Sequence, residues 1–183
     1  MDDSPDDEYW VSFRDSEGME RQALLEYVTD ALRPTGHPLF DLNAIIIAGV
    51  LFEYYLRALI RLQIDLSILE PPNIAEPIPY ATMLRLAGSL GVLPEHLRRP
   101  LRKFGHLRNE FAHDIKRRLS EADIAPLDKS LTEPMRRKLE KHKREMMAIN
   151  EKVTESRAYV QIFIAILADE LGAILRNRSE HEQ

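Results

Sequence analysis

Apolar residues recur every three or four positions along most of the chain, which is the spacing of amphipathic helices. The first such segment covers residues 19–32, and a longer one covers residues 39–69, with Asp41 as its predicted N-cap. Residues 44–52 of the longer segment are apolar on every side. We therefore expect this helix to be buried on most of its surface and to form the centre of the molecule.

Shorter elements are predicted in the middle of the chain. A helix over residues 80–90 ends at Gly91, a residue typical of helix C-caps. Pro94 then opens a short turn or helix, and Pro100 fits the first turn of the next helix. The inward stripe of that helix consists of Leu101, Phe104, Leu107, Phe111 and Ile115. Ser120 and Asp123 then have the spacing of a capping box, which predicts a short helix or an ordered loop.

A helical pattern occupies the last third of the chain. Thr132-Glu133-Pro134 combines a cap, an acid and a proline, and so predicts a helix start. From there the pattern continues to about residue 176, charged up to residue 152 and apolar beyond it. The apolar part is predicted to bury Tyr159, Val160, Ile162, Phe163, Ile166, Leu167, Leu171 and Ile174. Because no window alternates as a strand does, the predicted fold is all-α, an antiparallel bundle of four to five helices.

The composition is that of a globular chain, with 44% hydrophobic and 30% charged residues. The absence of cysteine excludes disulfides, zinc–cysteine sites and thiol catalysis. The longest apolar run is far shorter than the roughly 20 residues that cross a bilayer, and the N-terminus is acidic, so we expect neither a membrane segment nor a secretory signal. The expected organisation is an acidic tail (residues 1–17), one helical domain (18–178) and a frayed polar tail (179–183) in a cytoplasmic protein.

Charge is distributed unevenly around a net value of -5. Residues 1–20 carry eight acids and one base, whereas residues 96–118 carry eight bases and two acids. A polyanion responds to the local sign of charge, so the basic segment is a candidate surface for nucleic acid. The alternative is an ordinary solvated helix face.

The basic segment contains an arginine, an asparagine and a histidine within six residues. Asn109 and His113 are four residues apart and therefore share one face of a helix. Arg108 lies about 140° around the helix from His113 and about 7.5 Å along it. A histidine can move protons to or from a 2′-hydroxyl or a leaving oxygen, and an arginine can grip a phosphate, so the set suits cleavage of RNA. Because Arg108 and His113 diverge, they cannot easily touch within one straight helix, but they can border the same groove or meet their counterparts from a second copy of the helix.

The same residues also have a structural explanation. Asn109 and His113 can cap or link neighbouring helices, and Arg108 can pair with an acid such as Glu53. His106 and His113 share a face seven residues apart, but no third ligand follows at a suitable spacing. We therefore predict no metal site and no cofactor.

The segment Leu107-Arg108-Asn109-Glu110-Phe111-Ala112-His113 resembles the signature of the HEPN superfamily, in which an arginine precedes a histidine by four to six intervening residues. Asparagine often follows that arginine directly. Residues 87–94 and 157–160 resemble the corresponding segments of the mannitol-operon-repressor-like (MtlR-like) branch. The resemblance covers about residues 39–176.

The resemblance implies a helical bundle that forms a homodimer, with two motifs facing one composite cleft. In active HEPN proteins this cleft is a metal-independent endoribonuclease, and the positions that carry over are Arg108, Asn109 and His113. His113 would be the general acid and base, Arg108 would clamp the phosphate, and Asn109 would position it, with Glu53 as a supporting acid. The basic residues expected to guide the RNA strand are Arg102, Lys103, Lys116 and Arg117.

Many MtlR-like proteins are regulators, so the alternative is a non-enzymatic transcriptional or regulatory protein that works through protein or nucleic-acid contacts. The sequence shows no helix-turn-helix with a basic recognition helix, which argues against direct reading of a DNA sequence. The expected partners are a second copy of the chain, RNA, and an antitoxin or regulatory protein.

Overall fold

The computed structural model describes residues 40–64, 78–149 and 153–180, and every regular element within these ranges is an α-helix. In chain order the helices are α1 (Phe40–Arg61), α2 (Tyr80–Ser89), α3 (Glu95–His113), α4 (Glu121–Asp128), α5 (Glu133–Ile149) and α6 (Glu155–Glu180). The all-α prediction is thereby confirmed for the described part of the chain. The predicted acidic tail, the predicted helix over residues 19–32 and the last three residues lie outside the described ranges.

Helix α1 is the centre of the fold, because it packs against α2, α3 and α6. Its apolar pattern is satisfied by burial on several sides, and Phe52 meets Phe104 of α3 edge-on with ring centroids 4.9 Å apart. The helix ends at Arg61 rather than near residue 69. The N–H of Gln63 donates to the carbonyl of Ile60 at 2.9 Å, the short-range bond that tightens a final helical turn. Residues 65–77 lie outside the described ranges.

The predicted N-cap, Asp41, lies inside the first turn of α1 and is used for tertiary contacts instead. Its carboxylate lies 2.6 Å from Nε of Arg157 on α6 and accepts the N–H of Leu119 at 3.3 Å. Asp41 is only 2% exposed. The buried carboxylate therefore joins the start of α1 to α6 and to the segment before α4, and it gives Arg157 a structural role.

Gly91 ends α2 as the sequence predicts. Its φ of 68° is in the left-handed region that favours glycine. The N–H of Val92 bonds to the carbonyl of Ala87 and the N–H of Gly91 to that of Gly88, which together form a Schellman motif.

Helix α3 begins earlier than the sequence suggests. It starts at Glu95, directly after Pro94, so the prediction that Pro100 lies in its first turn is wrong. Pro100 is buried inside the helix, where it costs one backbone hydrogen bond while burial against neighbouring helices favours continuation. The inward stripe is confirmed except at Ile115, which is 63% exposed. The helix ends at His113 and the backbone is extended at Asp114, so Ile115 no longer follows the helical spacing of the inward stripe.

The last two helices form an antiparallel pair rather than one almost continuous helix. Thr154 interrupts the pattern by accepting the N–H of Arg157 on its hydroxyl at 3.4 Å, as an N-cap does. Lys138 pairs with Asp169 at 2.8 Å and Lys143 with Glu155 at 2.9 Å. The order of these pairs shows that the two helices run in opposite directions.

Other sequence expectations for this end of the chain are confirmed. The capping box of Ser120 and Asp123 starts α4. Seven of the eight apolar residues predicted to be buried in α6 are buried, and Ile174 is half-buried.

Two helices, over Asp41–Arg61 and Glu155–Arg178, are long and apolar enough to cross a membrane by length and composition. In the apolar 18-residue window of each helix, 56% and 67% respectively is buried inside the protein. Part of their apolar surface is therefore covered by the other helices.

Candidate functional site

Helix α3 presents the three motif residues on two different sides. Asn109 and His113 are exposed on the side that faces away from the core, which agrees with their predicted shared face. Arg108 turns towards α1, where its side chain is 29% exposed. Within one copy of the chain, the arginine is therefore at the edge of a helix–helix groove and the histidine is on the open surface.

Arg108 is held by two residues of α1. Its Nη2 lies 3.1 Å from Oε1 of Glu53, whose side chain is 26% exposed. The aliphatic part of Arg108 crosses the α1 backbone at Gly49, where an added Cβ would lie 3.2 Å from both Cγ and Nε. The Glu53–Arg108 pair of the structural explanation is thus present. Nε of Arg108 is buried and has no hydrogen-bond partner among the described residues.

Tyr80 lies near the Glu53–Arg108 ion pair, on the side towards the protein interior. Its hydroxyl donates to the carbonyl of Leu101 at 3.0 Å, and its ring lies so close to Gly105 that a Cβ there would be 2.7 Å from Cε1. Burial raises the pKa of Tyr80, the negative charge of Glu53 raises it further, and the positive charge of Arg108 opposes both. Tyr80 is therefore a protonated structural donor that joins α2 to α3.

Asn109 and His113 are not used to hold the fold together, as far as the described residues extend. Neither side chain has a hydrogen bond or an ion pair with any residue in those ranges. The last turn of α3 is instead closed by the backbone N–H of Asp114, which donates to the carbonyl of Glu110 at 3.2 Å. Capping or linking by Asn109 and His113 is thus not what the structure shows for this part of the chain, and both side chains are accessible to a ligand.

Arg98, one of the eight bases in the basic segment, is committed to the fold. It donates to the carbonyls of Gly88 and Leu93 at 2.8 and 3.2 Å and pairs with Glu95 at 2.7 Å. A Cβ at Gly88 would lie 3.0 Å from its Nε. The two glycines of segment 87–94 are therefore explained by the structure. Gly88 leaves room for the Arg98 side chain, and Gly91 ends α2.

Arg117 is also committed, although it is one of the four residues predicted to guide RNA. It lies 2.5 Å from Asp123 and 2.7 Å from Glu110, and its guanidinium sits 5.5 Å from the centroid of the Phe111 ring. Burial alone would raise the pKa of Asp123, but hydrogen bonds from Ser120 and Arg117 outweigh it and leave the pKa below its usual value. Arg117 thus fastens α3 to α4.

The other three predicted guiding residues are free of such contacts. Arg102 and Lys116 are exposed and Lys103 is half-buried. None of the three side chains has an ion pair or hydrogen bond within the described ranges. These side chains are the part of the predicted guiding set that a polyanion can reach.

The two histidines considered for a metal site, His106 and His113, are both exposed on the outer side of α3. Among the residues that the structure describes, no three His, Cys, Asp or Glu side chains come together in a way that could hold a metal ion.

Sequence reasoning missed Gly49 and Tyr80. A signal for Gly49 exists: a glycine inside a continuous apolar helix marks a close approach of another group. No local signal identifies Tyr80, because its partners lie more than twenty residues away in the sequence.

No family model, curated protein or solved structure matches the chain.

Proposed function

We propose that this chain is a HEPN-like RNA-acting protein, and that two copies form a composite, metal-independent endoribonuclease site. The observation that carries the proposal is the exposure of Asn109 and His113, whose side chains form no hydrogen bond or ion pair with a described residue. Arg108 lies nearby, at the edge of the groove between α1 and α3. The motif resemblance supports the superfamily. The helical fold is of the required class.

The proposed reaction is transesterification of RNA. The 2′-oxygen attacks the neighbouring phosphorus, the bond from phosphorus to the 5′-oxygen breaks, and the products carry a 2′,3′-cyclic phosphate and a 5′-hydroxyl. One imidazole takes the proton of the 2′-hydroxyl and a second gives a proton to the leaving oxygen. A homodimer supplies two copies of His113, which is why the dimer is part of the proposal.

Arg108 reaches the phosphate from the side in this proposal. Within one copy it diverges from His113 by about 140°, so a single helix does not direct both at one phosphate. Glu53 holds one end of the guanidinium at 3.1 Å, which orients the side chain. The exposed part of the guanidinium can then stabilise charge on a phosphate that is bound between two copies.

The test is cleavage of RNA by the purified full chain in EDTA. His113→Ala is expected to lower the rate by about 10²-fold or more, the usual contribution of a general acid or base. His96→Ala is the matched control, since His96 is an exposed histidine on the same helix but on a different side. Absence of cleavage by the wild-type chain, or an equal rate in His113→Ala, would refute the nuclease.

A second function is supported by the Glu53–Arg108 ion pair and by the close packing of the Arg108 side chain on Gly49. These contacts explain Arg108 without any catalysis. They favour a non-enzymatic MtlR-like regulator that acts in the cytoplasm through a protein or nucleic-acid partner, such as an antitoxin. If Arg108→Ala destabilises the fold while partner binding survives in both Arg108→Ala and His113→Ala, the regulator is supported over the nuclease.

A further inference from the structure

The outer side of α3 carries a continuous row of polar residues opposite the core. We call this row the α3 ridge; it consists of Arg99, Arg102, His106, Asn109 and His113, all exposed. At 100° per residue the five side chains fall within a sector of about 80°, and its middle lies opposite the buried Phe104. The ridge is about 21 Å long at 1.5 Å per residue.

The side chains of the α3 ridge have no ion pair or hydrogen bond with any residue of the described ranges. This distinguishes Arg99 and Arg102 from Arg98, Arg108 and Arg117, whose contacts were described above. As far as the described residues extend, no acid neutralises Arg99 or Arg102, and their positive charge can attract an anionic ligand.

Two of the three acids that border the ridge form ion pairs with arginines outside it. Glu95, at its beginning, pairs with Arg98 at 2.7 Å, and Glu110, along its side, pairs with Arg117 at 2.7 Å. Asp114, beyond its end, has no such ion pair among the described residues and accepts the backbone N–H of Lys116 at 3.0 Å. Arg98 and Arg117 thus have a second effect, because they reduce the negative charge along the border of the ridge.

The spacing of the ridge is three, four, three and four residues, as in a helix-pairing seam, but its composition argues against direct pairing with a second copy. Such seams are apolar, whereas every position of this ridge is an arginine, a histidine or an asparagine. Two ridges in contact would bring like charges together without hydrophobic burial. A polyanion between or along them removes that repulsion.

We infer that the α3 ridge binds the backbone of single-stranded RNA, with Arg99 and Arg102 contacting successive phosphates on one side of the residue at which His113 acts. This inference rests on the proposed function and adds the path of the strand. The rest of α3 is covered by α1, α2, α4 and α6, which leaves the ridge as its exposed face. A helix face does not enter the major groove of an RNA duplex, because that groove is deep and narrow. The ridge has no Phe, Tyr or Trp on which a base could stack, so we expect binding to depend mainly on the phosphates.

The experiment measures binding of the full chain to a 20-nucleotide 2′-O-methyl uridine strand in EDTA, which cannot be cleaved by attack of a 2′-hydroxyl. Fluorescence anisotropy is recorded over a series of salt concentrations. The test variant is Arg99→Gln/Arg102→Gln. The matched control is Lys129→Gln/Lys141→Gln, which removes the same charge from two exposed lysines that have no described ion pair, on other elements.

Each single-strand phosphate contact adds about 0.7 to the slope of log K against log salt. The ridge variant is therefore expected to lose about 1.4 from the slope and to bind on the order of 25-fold more weakly at ~0.1 M salt. The control should match the wild type in slope. An unchanged ridge variant, or equal loss in both double variants, would overturn the inference.

Two competitors test the chemistry of the ligand. The single strand should be displaced by its own unlabelled copy more readily than by an RNA duplex or by polyglutamate of equal charge. Equal or better displacement by either one would overturn the assignment to single-stranded RNA.

The outcomes separate this inference from the proposed nuclease. Ridge-dependent binding without any cleavage of ordinary RNA would refute the nuclease and leave the ridge standing. His113-dependent cleavage, with binding that does not respond to Arg99 and Arg102, would refute the ridge and leave the nuclease standing.

Discussion

Replacing Gly49 with alanine would place one methyl group directly under the Arg108 side chain. The new Cβ would lie 3.2 Å from both Cγ and Nε of Arg108 and 3.6 Å from Cδ. The first two distances are shorter than ordinary carbon–carbon or carbon–nitrogen contacts, so Arg108 must move by a few tenths of an ångström. That movement also disturbs the 3.1 Å ion pair with Glu53.

Two opposing effects set the size of the change in stability. Alanine is favoured over glycine in a helix interior by about 1 kcal/mol. Crowding of a packed site costs about 1–3 kcal/mol, and weakening a partly exposed ion pair adds a few tenths to about 1 kcal/mol. We therefore expect Gly49→Ala to be neutral or to destabilise the protein by up to about 3 kcal/mol.

The opposite result is expected when Arg108 is first replaced by alanine. The truncated side chain has no Cγ, Cδ or Nε, so every atom that crowds the new Cβ is gone. In that background Gly49→Ala should stabilise the protein by about 1 kcal/mol, the full helix-propensity gain. The coupling between the two positions should therefore be about 1–4 kcal/mol, well above the few tenths seen for independent sites.

The four proteins of this double-mutant cycle are compared by urea unfolding followed by circular dichroism. Thermal midpoints give a second measure, since 1 kcal/mol shifts the midpoint by about 2–4 °C in a protein of this size. If Gly49→Ala changes the unfolding free energy equally in both backgrounds, Arg108 does not lie across α1 at Gly49.

Three further predictions concern the rest of the fold. The pKa of the Asp123 carboxyl lies below its usual value, so its stabilisation is present above about pH 4 and is lost as the pH falls towards the lowered pKa. Asp123→Asn should therefore be less stable than the wild type at pH 7, with a gap that narrows towards pH 3 in urea unfolding; a constant gap would contradict the lowered pKa. Gly91→Ala should cost about 1–2 kcal/mol in thermal unfolding, because the φ of 68° strains an L-residue, and an unchanged midpoint would contradict this. Gly105→Ala should fail to show the usual gain of about 1 kcal/mol, because its Cβ would meet the Tyr80 ring at 2.7 Å; a gain would show that the ring gives way.

Features with local causes were predictable from the sequence. The helical class follows from the spacing of apolar residues, and the central position of α1 follows from an apolar run that continues around the helix. Gly91 and the Ser120–Asp123 capping box were predictable for the same reason: each is a signal between residues that are close in the chain.

The predictions that failed are those in which tertiary burial competes with a local rule. Pro100 is a helix-start signal, but α3 begins before it because burial against other helices outweighs one missing hydrogen bond. Asp41 has the chemistry of an N-cap, yet its carboxylate is taken by Arg157 and Leu119. A local pattern does not contain the energy of such contacts.

In the candidate site, too, some features were predictable from the sequence and others depend on the tertiary structure. That Asn109 and His113 share a face follows from helical geometry, and so does the divergence of Arg108. Only the tertiary structure decides which charges are engaged, since Arg108 meets Glu53 across two helices while Arg102 meets no partner among the described residues. The physical reason is that helical periodicity sets direction along one element, whereas ion pairing and burial depend on which distant residues the fold brings alongside.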